Sequence, residues 1–156
     1  MSEALHICTF VLAERTYALP VGEIQEVVRQ LDCTPVPLSP GAVRGLANLR
    51  GQITMAVDLR RRLMLPPRSP GAGEVNIVVR SEDGPVCLIV DEVGDVLDLP
   101  GSALEPPPET LRPALRQTVR GLCKLEDQLV LVLDTARAID LGSPLEGEPQ
   151  PHPDEE

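Results

Sequence analysis

The sequence predicts a mainly β fold of two small barrels packed side by side, each closed by a short helix. Three observations carry that prediction. Short apolar, β-branched runs recur along the chain between turn-rich polar stretches, with little helical periodicity. The stretch from Arg44 to Leu63 returns 76 positions later, from Arg120 to Ile139, so one unit occurs twice. Finally, 42% of the 156 residues are hydrophobic, yet Phe10 and Tyr17 are the only aromatics, so the core must be aliphatic. A buried Val, Leu or Ile contributes roughly 1.5 to 3 kcal/mol, which suffices for a core without rings.

In chain order, Leu5 to Leu12 is a strand by its apolar content, followed by a turn at A-E-R-T. Tyr17 to Val21 is a second strand, with Pro20 expected at an edge or at the strand's end because it donates no ladder hydrogen bond. Ile24 to Val28 is extended, with Ile24, Glu26 and Val28 on one face and Gln25 and Val27 on the other. The proline-rich T-P-V-P-L-S-P leads irregularly to the organising stretch R-G-L-A-N-L-R-G-Q-I-T-M-A-V-D, after which Arg60 to Leu65 forms a short helix.

Pro66 to Gly73 is the expected linker between units of about 5–65 and 74–141. The second unit runs through Val75–Val79 and Val86–Leu97. A shift of 69 lays Tyr17 over Val86, Ile24 over Val93 and Val27 over Val96. Past the proline cluster the shift grows to 76, which places an insertion of about seven residues near Glu109 to Gln117. Each unit is too small to bury much alone, so both are expected to share one core in a single domain over residues 1–141. The Pro-rich acidic tail, 142–156, has almost nothing to bury and is expected to be disordered.

Composition excludes several function classes. A net charge of -10 and absent stacking aromatics argue against nucleic-acid binding, which depends on Lys and Arg displacing counterions. No apolar run could span a bilayer, and the N-terminal M-S-E-A-L-H has no basic region followed by an apolar one, so a cytoplasmic location without membrane insertion is expected. Cys8, Cys33, Cys87 and Cys123 lack C-x-x-C spacing and are expected as free, structural thiols. His6 and His152 have no nucleophile or metal-ligand constellation beside them, and no phosphate-cradling loop occurs, so neither metal nor cofactor is expected.

Asp58 and Asp134 follow apolar strands and are expected to cap the helices after them; the competing reading is a small β-barrel enzyme with an Asp-based site. Arg60, Arg61 and Arg62 spread around a helix, as a solvated face would, and an acidic partner is the alternative. Comparing the two units separates a shared frame, R-G-L and the capping Asp, from Asn48, Arg50 and Gly51, which become Lys124, Glu126 and Asp127. Residues held by one copy alone are candidates for a partner contact. Arg50 offers a planar fork for carboxylates or carbonyls and Gly51 a close backbone approach, although Arg50 could instead pair internally with Glu23 or Glu26.

The segments F-V-L-A-E-R-T-Y-A-L-P-V-G-E-I-Q-E-V-V, T-P-V-P-L-S-P-G-A-V-R-G-L-A-N-L-R-G-Q-I-T-M-A-V-D-L-R and L-I-V-D-E-V-G-D-V-L, in this order, closely resemble the CheW family of chemotaxis coupling proteins over roughly residues 5 to 140. The resemblance implies two SH3-like five-stranded β-barrels. It also implies a non-enzymatic scaffold that joins chemoreceptor cytoplasmic tips to the histidine kinase CheA, with an apolar groove between the barrels for the receptor's helical hairpin. The matching receptor- or kinase-binding positions are Val21, Ile24, Glu26, Gly45, Arg50 and Val96. Met55 stands where relatives often carry Pro, and the acidic tail is no family hallmark; both leave open a specialised chemosensory pathway controlling pili, development or gene expression.

Overall fold

A computed structural model describes residues 4–37 and 40–141, so the tail from 142 onward lies outside the described residues. The chain is mainly β. Its strands are β1 (Leu5–Leu12), β2 (Arg15–Pro20), β3 (Ile24–Val28), β4 (Cys33–Thr34), β5 (Val43–Leu49), β6 (Gln52–Asp58), β7 (Val75–Val79), β8 (Val86–Val90), β9 (Glu92–Leu99), β10 (Val119–Lys124) and β11 (Leu129–Leu133). Three short helices accompany them: α1 (Leu59–Arg62), α2 (Pro113–Thr118) and α3 (Thr135–Ile139). Pro20 is the last residue of β2, where its missing N–H breaks no ladder, and Val21 opens a single 3-10 turn rather than extending the strand. The run from Val86 to Leu97 is divided at Asp91 into β8 and β9.

Two sheets form, one of five strands ordered β10-β11-β2-β1-β9 and one of six ordered β3-β7-β8-β6-β5-β4. The six-stranded sheet exceeds the expected five through the two-residue β4, and the described strands leave both sheets open rather than hydrogen-bonded into closed barrels. The two sequence repeats are not the two sheets. The β1–β2 hairpin of the first repeat lies in the sheet of the second, between β11 and β9, while β7–β8 of the second repeat lies between β3 and β6 of the first. The exchange is reciprocal: β2 joins β11 in parallel as β8 joins β6, and β1 joins β9 antiparallel as β7 joins β3. Neither repeat therefore completes a sheet by itself.

Phe10, Tyr17, Leu19, Val57, Ile77, Leu88 and Leu131 belong to the largest apolar cluster, which draws on both sheets. Smaller clusters fill each sheet's own concavity, around Ile7, Cys123 and Val132 in one and Leu49, Ala56 and Cys87 in the other. The four cysteines are free; Cys8, Cys87 and Cys123 are buried and Cys33 partly so. Burial raises the Cys87 thiol to about 11.

The R-G-L frame has a steric cause. A Cβ at Gly45 would lie 2.2 Å from the Thr34 carbonyl oxygen, and one at Gly121 would lie 2.6 Å from that of Glu105. In both repeats a proline-bearing segment crosses the strand at this point, so only glycine fits. The insertion in the second repeat builds α2, with Pro113 in its first turn.

Both expected caps form. Asp58 accepts from the Arg60 N–H, and Asp134 from the Arg137 N–H. Asp58 does more, because it is buried and meets the guanidinium groups of Arg44 and Arg68, each at 2.9 Å. Arg68 belongs to the expected linker, so the Pro66–Gly73 segment is tied down rather than free, with Arg68 also 3.0 Å from Asp91.

The solvated face expected of the arginine run is overturned. Arg60 pairs with Asp91, Arg61 lies 3.6 Å from Asp58, and Arg62 is 1% exposed. The Arg62 guanidinium donates to the Arg137, Ala138 and Asp140 carbonyls at 2.8, 3.1 and 2.7 Å. These are orphan acceptors at the end of α3, and a planar fork satisfies several at once.

Candidate functional site

The candidate residues around N-L-R-G are set by a tight hairpin. Leu49 pairs with Gln52, leaving Arg50 and Gly51 as a two-residue loop with φ of 52° and 86°. Positive φ at both central positions is the arrangement that follows the right-handed strand twist and that favours Asn and Gly. The Asn48 side-chain oxygen accepts from the Gly51 N–H at 2.7 Å. The equivalent loop in the second repeat is spanned by a 2.9 Å bond from the Leu125 N–H to the Gln128 carbonyl, and neither Glu126 nor Asp127 has positive φ. Asn48 and Gly51 thus differ between copies in part because the turns differ.

Arg50 projects from this loop with its side chain 73% exposed, and both its terminal nitrogens engage the Glu26 carboxylate on β3. The hydrogen bond from Arg50 holds the Glu26 carboxyl below the usual carboxylate range. Since β3 and the β5–β6 hairpin are separated by β7 and β8 in the sheet order, this contact requires a strongly curled sheet. Of the other candidates, Val21 is half-buried in the turn preceding β3, and Ile24 packs against the large cluster. Gly45 is buried in β5, with the role already described under Thr34. Val96 is 60% exposed on β9, an edge strand of the other sheet.

The structure therefore brings Glu26 to Arg50 and, with Ile24, Asn48 and Gly51, assigns them to the six-stranded sheet, whereas Val96 stands on the five-stranded one. It also shows exposed aliphatic residues that sequence reasoning passed over. Val27, the counterpart of Val96, is 44% exposed; Ile53 and its counterpart Leu129 are 64% and 49% exposed. Leu46, which pairs with the half-buried Met55, is 40% exposed. The signal was present in the 69 and 76 shifts, which place Val27 over Val96 and Ile53 over Leu129.

Beside this surface opens a cavity of about 680 Å3, whose walls include Met55, Val86, Ile139 and Leu141 and whose rim includes Glu23 and Arg80. The Arg80 guanidinium donates to the Gly22 and Ile24 carbonyls at 2.9 and 3.0 Å, which fixes the approach to β3. The buried carboxylates are engaged elsewhere. Burial alone would raise the Asp58 carboxyl, but Arg68 and Arg44 outweigh it and hold it below its ordinary value. Asp91 is likewise raised by burial and lowered by more through Arg60 and the Ala13 N–H. Among the described residues no group of three or more His, Cys, Asp or Glu could hold a metal ion, and no helix is long and apolar enough to cross a membrane.

Residues 6–142 match the family described as the CheW-like domain. The chain is 30% identical to the chemotaxis protein CheW of Helicobacter pylori over 131 residues, covering 84% of this chain and 79% of that protein. It is also 30% identical to that of Thermotoga maritima, covering 86% and 87%. Among solved structures, the scaffolding protein TtCheW from Thermoanaerobacter tengcongensis superposes with a TM-score of 0.76 at 30% identity, covering 85% of this chain and 90% of that one. With its duplicated frame, its exchanged hairpins and this match across nearly all of its described length, the chain belongs to the CheW family.

Proposed function

We propose that this protein is a non-enzymatic adaptor that couples the cytoplasmic tips of chemoreceptors to a CheA-type histidine kinase in a chemosensory array. Family membership supports the reading, and the observation that carries it is the placement of exposed aliphatic residues. Val27 and Val96 stand at equivalent places on the two sheets, as do Ile53 and Leu129, so one chain presents two similar apolar surfaces. An adaptor needs two docking faces, and interfaces draw most of their affinity from a few buried anchors. Val21, Ile24, Glu26, Gly45, Asn48, Arg50, Gly51 and Val96 are the residues assigned to those contacts. The carboxylates that an enzyme could use are instead consumed by caps and arginine pairs. The protein would work at the cytoplasmic side of the membrane, held there by its partners without insertion.

The experiment is a reconstitution of kinase and receptor with and without this chain, following kinase autophosphorylation. Receptor-dependent stimulation should require the chain. Equal stimulation in its absence, or failure of the chain to co-sediment with either partner, would sink the reading.

A further inference from the structure

The cavity beside β6 has an internal counterpart, and the two differ. The shifts relating the repeats carry its lining residues Met55, Val86 and Ile139 onto Leu131, Tyr17 and Leu63. All three counterparts are buried, at 3%, 0% and 0%, whereas Met55 and Ile139 are only partly buried. What covers the counterparts is the insertion peculiar to the second repeat. Leu111, just ahead of α2, and Leu115 within it pack into the cluster that holds Leu63, Tyr17 and Leu131. Between them Arg112 donates to the Met64 carbonyl at 3.2 Å, and Met64 is the counterpart of Asp140 on the cavity rim. The first repeat lacks the insertion, and its cavity stays open.

The rim also has a charge preference. Glu23, Glu82, Asp83 and Asp140 surround it, against the single cation Arg80, whose guanidinium is turned to backbone carbonyls. An acidic segment would be repelled there and a basic one drawn in.

We propose that this cavity seats a helical segment of a protein partner that carries two leucines four residues apart and a basic residue beside the first, held as residues 111–115 are held in the counterpart. The insertion is thus a built-in occupant that closes one of two equivalent sites, so the chain offers one such site rather than two. The chemistry comes from the cavity and its counterpart; only the assignment of the segment to a chemosensory partner rests on the adaptor reading.

The probe is a fluorescent peptide of the chain's own sequence from Glu109 to Val119, titrated into the full-length protein. Saturation at one site is expected, with methyl NMR shifts confined to Met55, Val86, Ile139 and Leu141. Met55→Glu, and independently Ile139→Glu, should weaken binding by about tenfold or more while the circular dichroism spectrum is retained, because each puts a charge into an apolar wall. A peptide with both leucines replaced by serine should not bind. Absence of saturation, shifts centred elsewhere, or undiminished binding to a folded Met55→Glu protein would overturn the proposal. Measuring receptor-dependent kinase stimulation on the same samples separates the two readings: stimulation without peptide binding overturns the cavity assignment alone, whereas peptide binding without stimulation upholds the cavity and counts against the adaptor.

Discussion

Arg50 and Glu26 form a two-pronged ion pair that ties the tip of the β5–β6 hairpin to the edge strand β3. Because Arg50 is mostly exposed, the pair adds little to stability, as exposed ion pairs generally do. Its consequence is positional, since it fixes the guanidinium beside the exposed Val27 and the half-buried Ile24. Arg50→Ala should therefore leave thermal unfolding nearly unchanged and lower receptor-dependent kinase stimulation. Glu26→Gln releases the guanidinium without removing it and should cost less. Stimulation that survives Arg50→Ala at full rate would assign Arg50 to the pair alone.

Val96→Glu places a charge on a side chain that is already 60% exposed, so the protein should fold with an unchanged circular dichroism spectrum. Binding to one of the two partners should weaken, because an anchor that is buried in a complex cannot carry an unpaired charge cheaply. Val27→Glu, at the equivalent place on the other sheet, should act on the other partner. Pull-downs of kinase and receptor by both variants test this; two variants that retain both partners would remove these edges from the interface.

The two capping aspartates should separate sharply in stability. Asp134 serves its helix alone, and Asp134→Ala should cost about 0.5 to 2 kcal/mol. Asp58 also neutralises the buried Arg68 and the partly buried Arg44, so Asp58→Ala strands those charges and should cost about 3 to 5 kcal/mol. Chemical denaturation of the two variants decides it, and equal losses would mean that the arginines find other partners.

The same carboxylates set the acid limit of stability. Asp58 and Asp91 have folded pKa values below the 3.8 of a free carboxyl, so between the two values the unfolded chain binds more protons than the folded one. Stability then rises with pH across that window; the contribution is complete above about pH 4 to 5 and is lost as pH falls through the folded values. Denaturation midpoints measured from pH 7 to pH 2 should be flat at first and drop below about pH 4, and the drop should shrink in Asp91→Asn. Midpoints independent of pH down to 2 would contradict the ion network.

Much of this was legible in the sequence because the duplication supplied an internal comparison. It marked Gly45 and Gly121 as architectural before the crossing segments at Thr34 and Glu105 gave the steric reason, and it identified the caps. The exchange of hairpins was not legible, because β1 and β7 have equally good apolar faces and nothing local selects which repeat's sheet each joins. The Arg50–Glu26 pair was one of two internal alternatives, and only the curl of the sheet chose it. Asn48 and Gly51 were read as partner residues from their asymmetry alone, whereas the backbone of the turn accounts for part of that asymmetry. The arginine run failed for a different reason: three adjacent charges suggest solvent unless the carbonyl end of another helix is known to lie against them.

That last case makes the most demanding prediction. Arg62 and Ala138 occupy the same place in the two repeats, and the Arg62 Nε–H donates to the Ala138 carbonyl, so a large residue in one copy fits against a small one in the other. Arg62 joins α1 to the end of α3 through charge-assisted hydrogen bonds, each of which contributes about 1.5 to 3 kcal/mol. Arg62→Met retains much of the volume and removes every donor, leaving buried carbonyls unpaired, and should destabilise by at least about 3 kcal/mol. Arg62→Lys should recover only part of this, since one ammonium cannot span the Arg137, Ala138 and Asp140 carbonyls as a planar fork does. Hydrogen exchange should then show α3 opening first in both variants. If α3 keeps its protection while overall stability falls, Arg62 acts by packing and not as the cap of that helix.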